Sequence, residues 1–112
     1  MKEISWQEFE QVELRVGTII KVDDFPEARN PSYKLIVDFG NEIGQRKSSA
    51  QLTHHYSKEQ LLGKQVIGVV NFPAKQIGPF MSQCLITGFY DDNGHVILAV
   101  PDKEIENGKK LL

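Results

Sequence analysis

Cysteine is almost absent from this sequence, since Cys84 is the single example among 112 residues. One cysteine cannot form a disulfide within the chain, and it cannot build a thiolate-rich metal site. Cys84 stands within an apolar run, and free cysteine is among the most frequently buried residue types. We therefore expect a buried, unreactive thiol, with a reactive thiol as the alternative.

Long apolar runs are missing as well. No segment approaches the length of about 20 apolar residues that a membrane-spanning helix requires. Residues 1–6 also lack the apolar core of a signal peptide. We expect a cytoplasmic protein that does not insert into membranes.

An excess of positive charge is lacking too, because the net charge is −2. Residues 1–29 hold seven acids and four bases, residues 30–89 hold three acids and six bases, and residues 90–112 hold five acids and three bases. The overall balance argues against a strong nucleic-acid binder. The basic middle of the chain can nevertheless attract a polyanion locally.

Common enzyme signatures do not occur in the sequence. It contains no phosphate-cradling Gly-rich loop, no HExxH motif and no Gly-x-Ser-x-Gly elbow. The adjacent His54 and His55 have no partner at metal-ligand spacing, so we interpret them as surface residues of a loop. We predict that the chain is not an enzyme, uses no cofactor and binds no metal.

The apolar pattern indicates one domain, residues 1–112, built mainly from strands. Capping boxes at Ser5-Trp6-Gln7-Glu8 and Ser57-Lys58-Glu59-Gln60 predict two short helices, the first over residues 6–11. In the first strand, the alternation assigns Ile20 to the apolar face, and Gly17 suggests a bulge or sharp coiling of the strand. The predicted strands cover residues 12–23, 33–39, 45–52, 64–72, 81–90 and 95–100.

This order of elements predicts an all-β fold, a five-stranded Greek-key barrel of the oligonucleotide and oligosaccharide binding type, or OB-fold. A short N-terminal helix precedes the barrel, a short helix joins strands three and four, and a C-terminal extension follows. A generic small barrel is the alternative. Residues 73–80, with Pro73, Gly78 and Pro79, are expected to form an irregular loop between strands four and five.

The ligand face of such a barrel lies across strands two and three. The predicted third strand is unusually polar, and polar side chains on an exposed strand can offer cations and hydroxyl groups to a ligand. A solvated strand edge is the alternative explanation. The candidate residues on this face are Lys34, Arg46, Lys47 and Ser48.

Five separated segments carry a recognisable pattern: ELRVGTI at residues 13–19, DFPEAR at 24–29, KLIVDFG at 34–40, SSAQLT at 48–53 and NFP at 71–73. They resemble the CsaA family of export-related chaperones. More broadly, they resemble the tRNA-binding domain that is appended to methionyl-tRNA synthetases. The resemblance covers nearly the whole chain, and the order of several separated motifs makes it specific.

The resemblance implies an OB-fold homodimer that binds tRNA-like RNA and, in the CsaA branch, unfolded preproteins and partners in protein export. It also implies that residues 1–11 and 101–112 are extensions that help to form the dimer. Packing of these extensions within one subunit is the alternative. The apolar residues expected at the dimer interface are Trp6, Phe9, Ile105, Leu111 and Leu112.

Two functions follow as hypotheses. The first is a chaperone that captures unfolded peptides in an apolar groove formed by Phe72, Ile77, Phe80 and Met81, unless Phe80 or Met81 simply fills the barrel end. The second is a tRNA-binding protein without a chaperone role, which contacts phosphates and polar RNA groups. Its candidate residues are Arg29, Lys34, Arg46, Lys47, Ser48, Ser49, Lys75 and Gln76.

Departures from the family pattern in residues 73–83 favour the first hypothesis. The pattern carries a basic residue where Gln76 and Met81 stand here, and each lost phosphate contact weakens RNA binding. Methionine beside Phe80 instead enlarges an apolar surface that can adapt to varied peptide side chains.

Overall fold

The computed structural model describes all residues, 1–112. Three short helices and nine strands make up the regular structure, and no helix is long and apolar enough to cross a membrane. The helices are α1 (Trp6–Glu10), α2 (Gly40–Ile43) and α3 (Lys58–Leu61). The strands are β1 (Leu14–Asp24), β2 (Tyr33–Asp38), β3 (Gln45–Ala50), β4 (Gln65–Val69), β5 (Lys75–Ile77), β6 (Phe80–Ser82), β7 (Leu85–Ile86), β8 (Gly88–Tyr90) and β9 (Val96–Leu98).

Five antiparallel strands form the barrel in the order β3-β2-β1-β4-β7. The barrel closes where β3 meets residues 82–84. The Gln83 amide donates to the Lys47 carbonyl at 2.7 Å, and the Lys47 amide donates to Gln83 Oε1 at 3.0 Å. The Ser49 amide donates to Ser82 Oγ at 3.1 Å. The predicted five-stranded OB-type barrel is confirmed, and β3 is not a solvated edge because these bonds cover it.

Strand β2 supplies the centre of the core. Its inward side chains, Tyr33, Leu35 and Val37, alternate with half-buried ones, as the sequence pattern predicts. They pack with Ile19 of β1 and with Phe39, both completely buried. Residues from the other elements complete the core around these two adjacent strands: Leu52, Leu61, Val66, Cys84 and Leu98.

Strand β1 contains a bulge, but at a different residue from the predicted one. Its register with β2 shifts between Ile19 and Lys21, so Ile20 has no direct partner. Before the bulge, Ile19 pairs with the core residue Val37 and is buried, which leaves Ile20 41% exposed; after the bulge, Val22 pairs with Leu35 and takes the core side. The prediction that Ile20 lies on the core face is therefore wrong.

Gly17 has a packing role. A Cβ atom at this position would lie 2.6 Å from Val37 Cγ1 and 2.7 Å from Phe39 Cδ1. Both distances are well inside van der Waals contact, so only glycine lets the β1 backbone approach these two core side chains. The glycine in the first strand marks a close approach, and the bulge lies three residues further along.

Both predicted capping boxes are present. The Ser5 hydroxyl accepts the Glu8 amide at 3.1 Å while Glu8 Oε1 accepts the Ser5 amide at 3.0 Å. Ser57 and Gln60 make the same pair of bonds at 3.2 Å and 2.8 Å. These bonds satisfy the free amides at the starts of α1 and α3. The helical turn α2 is additional, because no helix was predicted between the second and third strands.

Residues 73–80 are more regular than predicted. Lys75–Ile77 and Phe80–Ser82 pair as the hairpin β5–β6, and Gly78 in its turn has φ +56°. The hairpin takes Met81 and Ser82 from the predicted fifth strand, whose remainder is divided into β7 and β8. Residues 83–84 separate the hairpin from β7 where the backbone turns to close the barrel on β3, and Thr87 separates β7 from β8.

The C-terminal segment runs along β1 of its own barrel. The Gly108 amide donates to the Val16 carbonyl at 2.8 Å, and the Leu111 amide donates to the Leu14 carbonyl at 2.9 Å. The guanidinium group of Arg15 donates to the Gly108 carbonyl at 2.9 Å. The extension is therefore anchored within the subunit, and its last residues are brought beside α1.

Candidate functional site

The outer face of β2 and β3 carries a group of cations. Their register pairs Lys34 with Ser49 and Ile36 with Lys47, so these four side chains share the face opposite the core. Lys21 of β1 pairs with Ile36 and belongs to the same face, where its Nζ lies 3.6 Å from Asp23. We call this surface the cationic face; Lys21 is a member that the sequence reasoning missed.

Two phenylalanine rings contact two of the three lysines on this face. Lys34 Nζ lies 5.5 Å from the centre of the Phe25 ring, and Lys47 Nζ lies 5.3 Å from the centre of the Phe80 ring. The two rings meet edge to face with centroids 5.5 Å apart. Cation–π contacts of this kind favour a fixed position for each ammonium group. Phe25 was also missed, because a single aromatic residue before a proline gives no functional signal.

Ser48 does not belong to the ligand face. It is 1% exposed, and its hydroxyl donates to the Cys84 carbonyl at 3.0 Å. The pleat is the reason, since Ser48 pairs with the core residue Leu35 and points inward with it. The prediction that the Ser48 hydroxyl contacts RNA is therefore wrong.

Arg46 points to the same, inward side of β3 as Ser48, because the two residues are two positions apart on the strand. It pairs with Val37, and its Nη1 donates to the Val70 carbonyl at 3.3 Å, beyond the end of β4. The structure therefore separates Arg46 from Lys34 and Lys47, which point to the other side of the sheet.

The remaining RNA-binding candidates surround the cationic face. Ser49 is half-buried on it, and Lys75 and Gln76 are exposed on β5, where Gln76 Nε2 donates to the Gly78 carbonyl at 3.2 Å. Arg29 is exposed in the loop between β1 and β2. This loop reaches the β5–β6 turn, because a Cβ on Gly78 would lie 3.8 Å from the Glu27 carbonyl oxygen.

An apolar groove of about 440 Å³ lies beside the barrel closure. Phe72, Ile77, Leu85 and Tyr90 supply its apolar surface, and Phe72 and Tyr90 are 52% and 81% exposed. Its polar side includes Ser49 and Lys75, among others. We call this the apolar groove; Leu85 and Tyr90 were not among the predicted peptide-binding residues.

The structure divides the four predicted peptide-binding residues. The hairpin register pairs Ile77 with Phe80 and Gln76 with Met81, so Met81 points to the opposite face from Ile77 and Phe80. Phe72 and Ile77 line the apolar groove, whereas Phe80 packs on Phe25. The prediction of one groove formed by all four residues is wrong, because neighbouring residues of a strand alternate in direction.

The predicted dimerisation residues are only partly grouped. Trp6, Phe9, Leu111 and Leu112 line a shallow concavity of about 140 Å³ between α1 and the C-terminus, with the Trp6 and Phe9 rings 5.8 Å apart. We call this the terminal patch. Ile105 is absent from its lining and lies beside Gln65, whose Oε1 accepts the Ile105 amide at 3.1 Å. A second exposed apolar surface, formed by the paired residues Phe89 and Ile97 on β8–β9, was not predicted.

Glu13 ties the C-terminal segment to β1 electrostatically. Lys110 and Arg15 lie 3.1 Å and 3.4 Å from its carboxylate oxygens. Hydrogen bonds from Lys110 and then Arg15 hold the pKa of Glu13 below its ordinary value.

Cys84 is buried, as expected from the sequence. Desolvation is the largest effect on its thiol and raises the pKa to about 11, although a hydrogen bond from Ser48 opposes it. A thiol with this pKa is almost entirely protonated near neutral pH and is a poor nucleophile.

The histidines are not isolated on their loop. His95, at the start of the β8–β9 return, stacks on His54 with ring centres 3.6 Å apart, and His55 Nε2 lies 2.7 Å from Asp91 Oδ2. The His55 hydrogen bond, followed by that of the His95 amide, lowers the pKa of Asp91 to about 2. His54 and His55 are exposed residues of a loop, as expected, but they are not isolated, because the fold supplies His95 from a distant part of the chain.

Comparison with known proteins identifies the family. A family model described as "Putative tRNA binding domain" matches residues 14–110. The chain belongs to this tRNA-binding domain family. The match spans the barrel, the cationic face and the anchored part of the C-terminal segment, and it confirms the resemblance seen in the sequence.

Relatives of this tRNA-binding domain include both branches of the resemblance. It is 44% identical to the CsaA chaperone protein of Picrophilus torridus, with a TM-score of 0.91 over 98% of this chain and 100% of that one. The chaperone CsaA of Bacillus anthracis is 40% identical, with a TM-score of 0.92 over 99% of this chain and 100% of that one. The methionine–tRNA ligase of Pyrococcus furiosus is 37% identical over 99% of this chain but only 15% of the ligase. The chain thus spans a small part of the ligases that it matches.

Proposed function

We propose that this protein binds tRNA-like RNA through the cationic face. The observation that carries the proposal is the arrangement of Lys34 and Lys47, which lie on one face and are each held against a phenylalanine ring. Ammonium groups on a strand face suit phosphate oxygens, and Ser49 between them offers a hydroxyl group. Membership of the tRNA-binding domain family supports this ligand.

The number of cations sets the strength and salt dependence of the interaction. Lys34, Lys47, Lys75 and Arg29 allow four phosphate contacts from one barrel. Four contacts correspond to a slope of log K against log salt of roughly −3 to −4. Affinity for tRNA should therefore fall roughly 60- to 250-fold between 50 and 200 mM monovalent salt.

The test is a titration of labelled tRNA at these two salt concentrations with the wild type and two lysine variants. Lys47→Gln removes a cation from the cationic face, and Lys103→Gln removes an exposed lysine from the C-terminal segment. We expect Lys47→Gln to weaken binding and to reduce the salt slope by about 1, with no change for Lys103→Gln. Equal effects of both variants would refute binding at the cationic face.

A second function, capture of unfolded peptides, is favoured by the apolar groove. Its exposed rings and its position beside β3 suit an extended apolar segment, and the two CsaA relatives are described as chaperones. Apolar contacts persist at salt concentrations that abolish phosphate contacts. Phe72→Ser should therefore reduce the suppression of client aggregation at high salt, whereas Lys47→Gln should not; the opposite result would exclude the groove.

We further infer that the protein acts as a homodimer and as a binding protein rather than an enzyme. The terminal patch exposes Trp6, Leu111 and Leu112, and burial of each such side chain contributes roughly 1.5–3 kcal/mol. The sequence contains none of the enzyme signatures considered above, and a tRNA ligand would place the protein in the cytoplasm. Light scattering of the wild type and Trp6→Ser tests the dimer: a wild-type monomer would refute it.

A further inference from the structure

We propose that His54, His55 and His95 form a binding site for a late first-row divalent metal ion of the zinc class. These are all three histidines of the chain, and they come from two loops that are far apart in sequence. One nitrogen from each ring can be chosen so that the three atoms lie within 4.8 Å of one another. Imidazole nitrogen is the donor that zinc, nickel and copper ions accept most readily.

One hydrogen bond prepares His55 for coordination. Its Nε2 lies 2.7 Å from Asp91 Oδ2, and an ionised carboxylate only accepts, so Nε2 carries the proton. The lone pair then resides on Nδ1, which is free for a metal. A carboxylate that orients a ligating histidine in this way is the usual support around a metal site.

Asp91 is itself held by the backbone. Its Oδ1 accepts the amides of Asn93 at 2.9 Å and His95 at 2.8 Å. These bonds fix the turn that carries His95, so the same carboxylate positions one ligand through its ring and another through its amide. The site therefore has a rigid side, formed by His55, Asp91 and His95.

His95 provides an additional sign of a missing partner. Its Nδ1 is buried and has no hydrogen-bond partner in the protein. A buried polar atom without a partner is uncommon and costs free energy, and a bound ion would satisfy it.

His54 is the adjustable member. Its ring stacks on His95 with an interplanar angle of 8°, so its edge must rotate towards the ion. Tetrahedral coordination with nitrogen distances of about 2.0–2.1 Å places ligand atoms roughly 3.3 Å apart, which requires movements of about 1–2 Å from the present spacing. His54 is exposed on its loop and can make this movement. Three histidines leave the fourth position to water.

The test uses the whole chain without a tag, freed of metal by prior treatment with a chelator. This protein is titrated with Co²⁺ as a spectroscopic probe, and Zn²⁺ is then added as a competitor. We expect one ion per chain, the intense visible bands of four-coordinate Co²⁺, and displacement by Zn²⁺. His95→Gln should lower the affinity at least tenfold. Bound metal should also raise the thermal midpoint, because it links the loop after β3 to the β8–β9 turn.

Two aspartate variants distinguish the specific support of His55 by Asp91 from a general effect of negative charge in the turn. Asp91→Asn should weaken metal binding 10- to 100-fold, whereas Asp92→Asn in the same turn should leave it unchanged. Thermal melts in chelator identify any variant that is destabilised without metal, and affinities are compared among folded variants only. The proposal is overturned if Co²⁺ does not bind, if His95→Gln binds it as the wild type does, or if the two aspartate variants lose affinity equally.

Discussion

The ammonium group of Lys47 on β3 lies 5.3 Å from the centre of the Phe80 ring. Phe80 belongs to β6, in the hairpin that leads into the residues closing the barrel. Phe80 in turn packs edge to face on the buried Phe25. The hairpin therefore fixes a cation on β3 through aromatic contacts. Phe80, which the sequence suggested as part of a peptide groove, instead supports the cationic face.

Phe80→Leu tests this positioning role. Leucine keeps an apolar side chain against Phe25 but removes the ring beneath Lys47, whose contact contributes about 0.5–1 kcal/mol at an exposed site. We expect tRNA affinity to fall about two- to fivefold with little change in the urea midpoint. Phe89→Leu, at an exposed ring on β8, is the matched control and should leave tRNA affinity unchanged. A larger effect of the control would contradict the assignment.

Neighbouring serines on β3 provide a test of strand direction. Ser48→Ala removes a buried hydroxyl that donates to the Cys84 carbonyl, and loss of such a bond costs about 0.5–1.5 kcal/mol of unfolding free energy. Its tRNA affinity should equal that of the wild type. Ser49→Ala should retain stability and bind tRNA slightly more weakly, since the Ser49 amide, not its hydroxyl, closes the barrel. If Ser49→Ala lowered the stability and Ser48→Ala weakened tRNA binding, Ser49 would face the core and Ser48 would face the ligand.

Much of the fold was predictable from local patterns. The alternation in residues 33–39 identified the core strand, and the two serine capping boxes located α1 and α3, because each signal depends on residues only a few positions apart. The bulge at Ile20 was misplaced because the glycine that suggested it serves a contact with Val37 and Phe39 on another strand.

The site was less predictable because it depends on long-range pairing. Lys34, Lys47 and Ser49 were identified from composition, but the burial of Ser48 required knowledge of which face of β3 meets the core. Met81 illustrates the same limit, since a three-residue strand has too little pattern to reveal its direction. His95 meets His54 only because the β8–β9 hairpin folds back towards the loop after β3. The spacing of the histidines in the sequence does not predict this contact.

Gly17→Ala measures the close approach of β1 to the core. Its new methyl group would lie 2.6–2.8 Å from Val37 and Phe39 side-chain atoms, and overpacking of this kind costs about 1–3 kcal/mol. Urea unfolding should show the loss at an unchanged m-value. Gly94→Ala, where nothing lies within 4 Å of the added Cβ, reports the cost of positive φ alone. A stable Gly17→Ala variant would show that the core can shift to accept the methyl group.

The thiol of Cys84 should be almost unreactive in the native protein. Burial raises its pKa to about 11, so little thiolate exists at pH 8, and the surrounding core excludes the reagent. We expect an aromatic disulfide reagent to react slowly at pH 8 and rapidly once urea unfolds the chain. Cys84→Ser should show no reaction under either condition. Rapid reaction of the folded wild type would establish an accessible, reactive thiol instead.

Glu13 should make the anchoring of the C-terminal segment sensitive to acid. Lys110 and Arg15 lower its pKa in the folded protein below the ordinary value of 4.5, so the unfolded chain takes up the proton first. The stabilisation is therefore fully present well above pH 4.5 and decreases as the pH falls through the folded-state pKa.

Urea unfolding of the wild type and Glu13→Gln between pH 6 and pH 3 measures this contribution. The wild type should be more stable at pH 6, and the difference should shrink as the pH decreases, because protonation removes the charge that Lys110 and Arg15 contact. Glu42→Gln, an exposed carboxyl without an ion pair, should show no such convergence. A difference for Glu13→Gln that is independent of pH would mean that Glu13 acts through packing, and that the ion pairs with Lys110 and Arg15 do not hold the segment on β1.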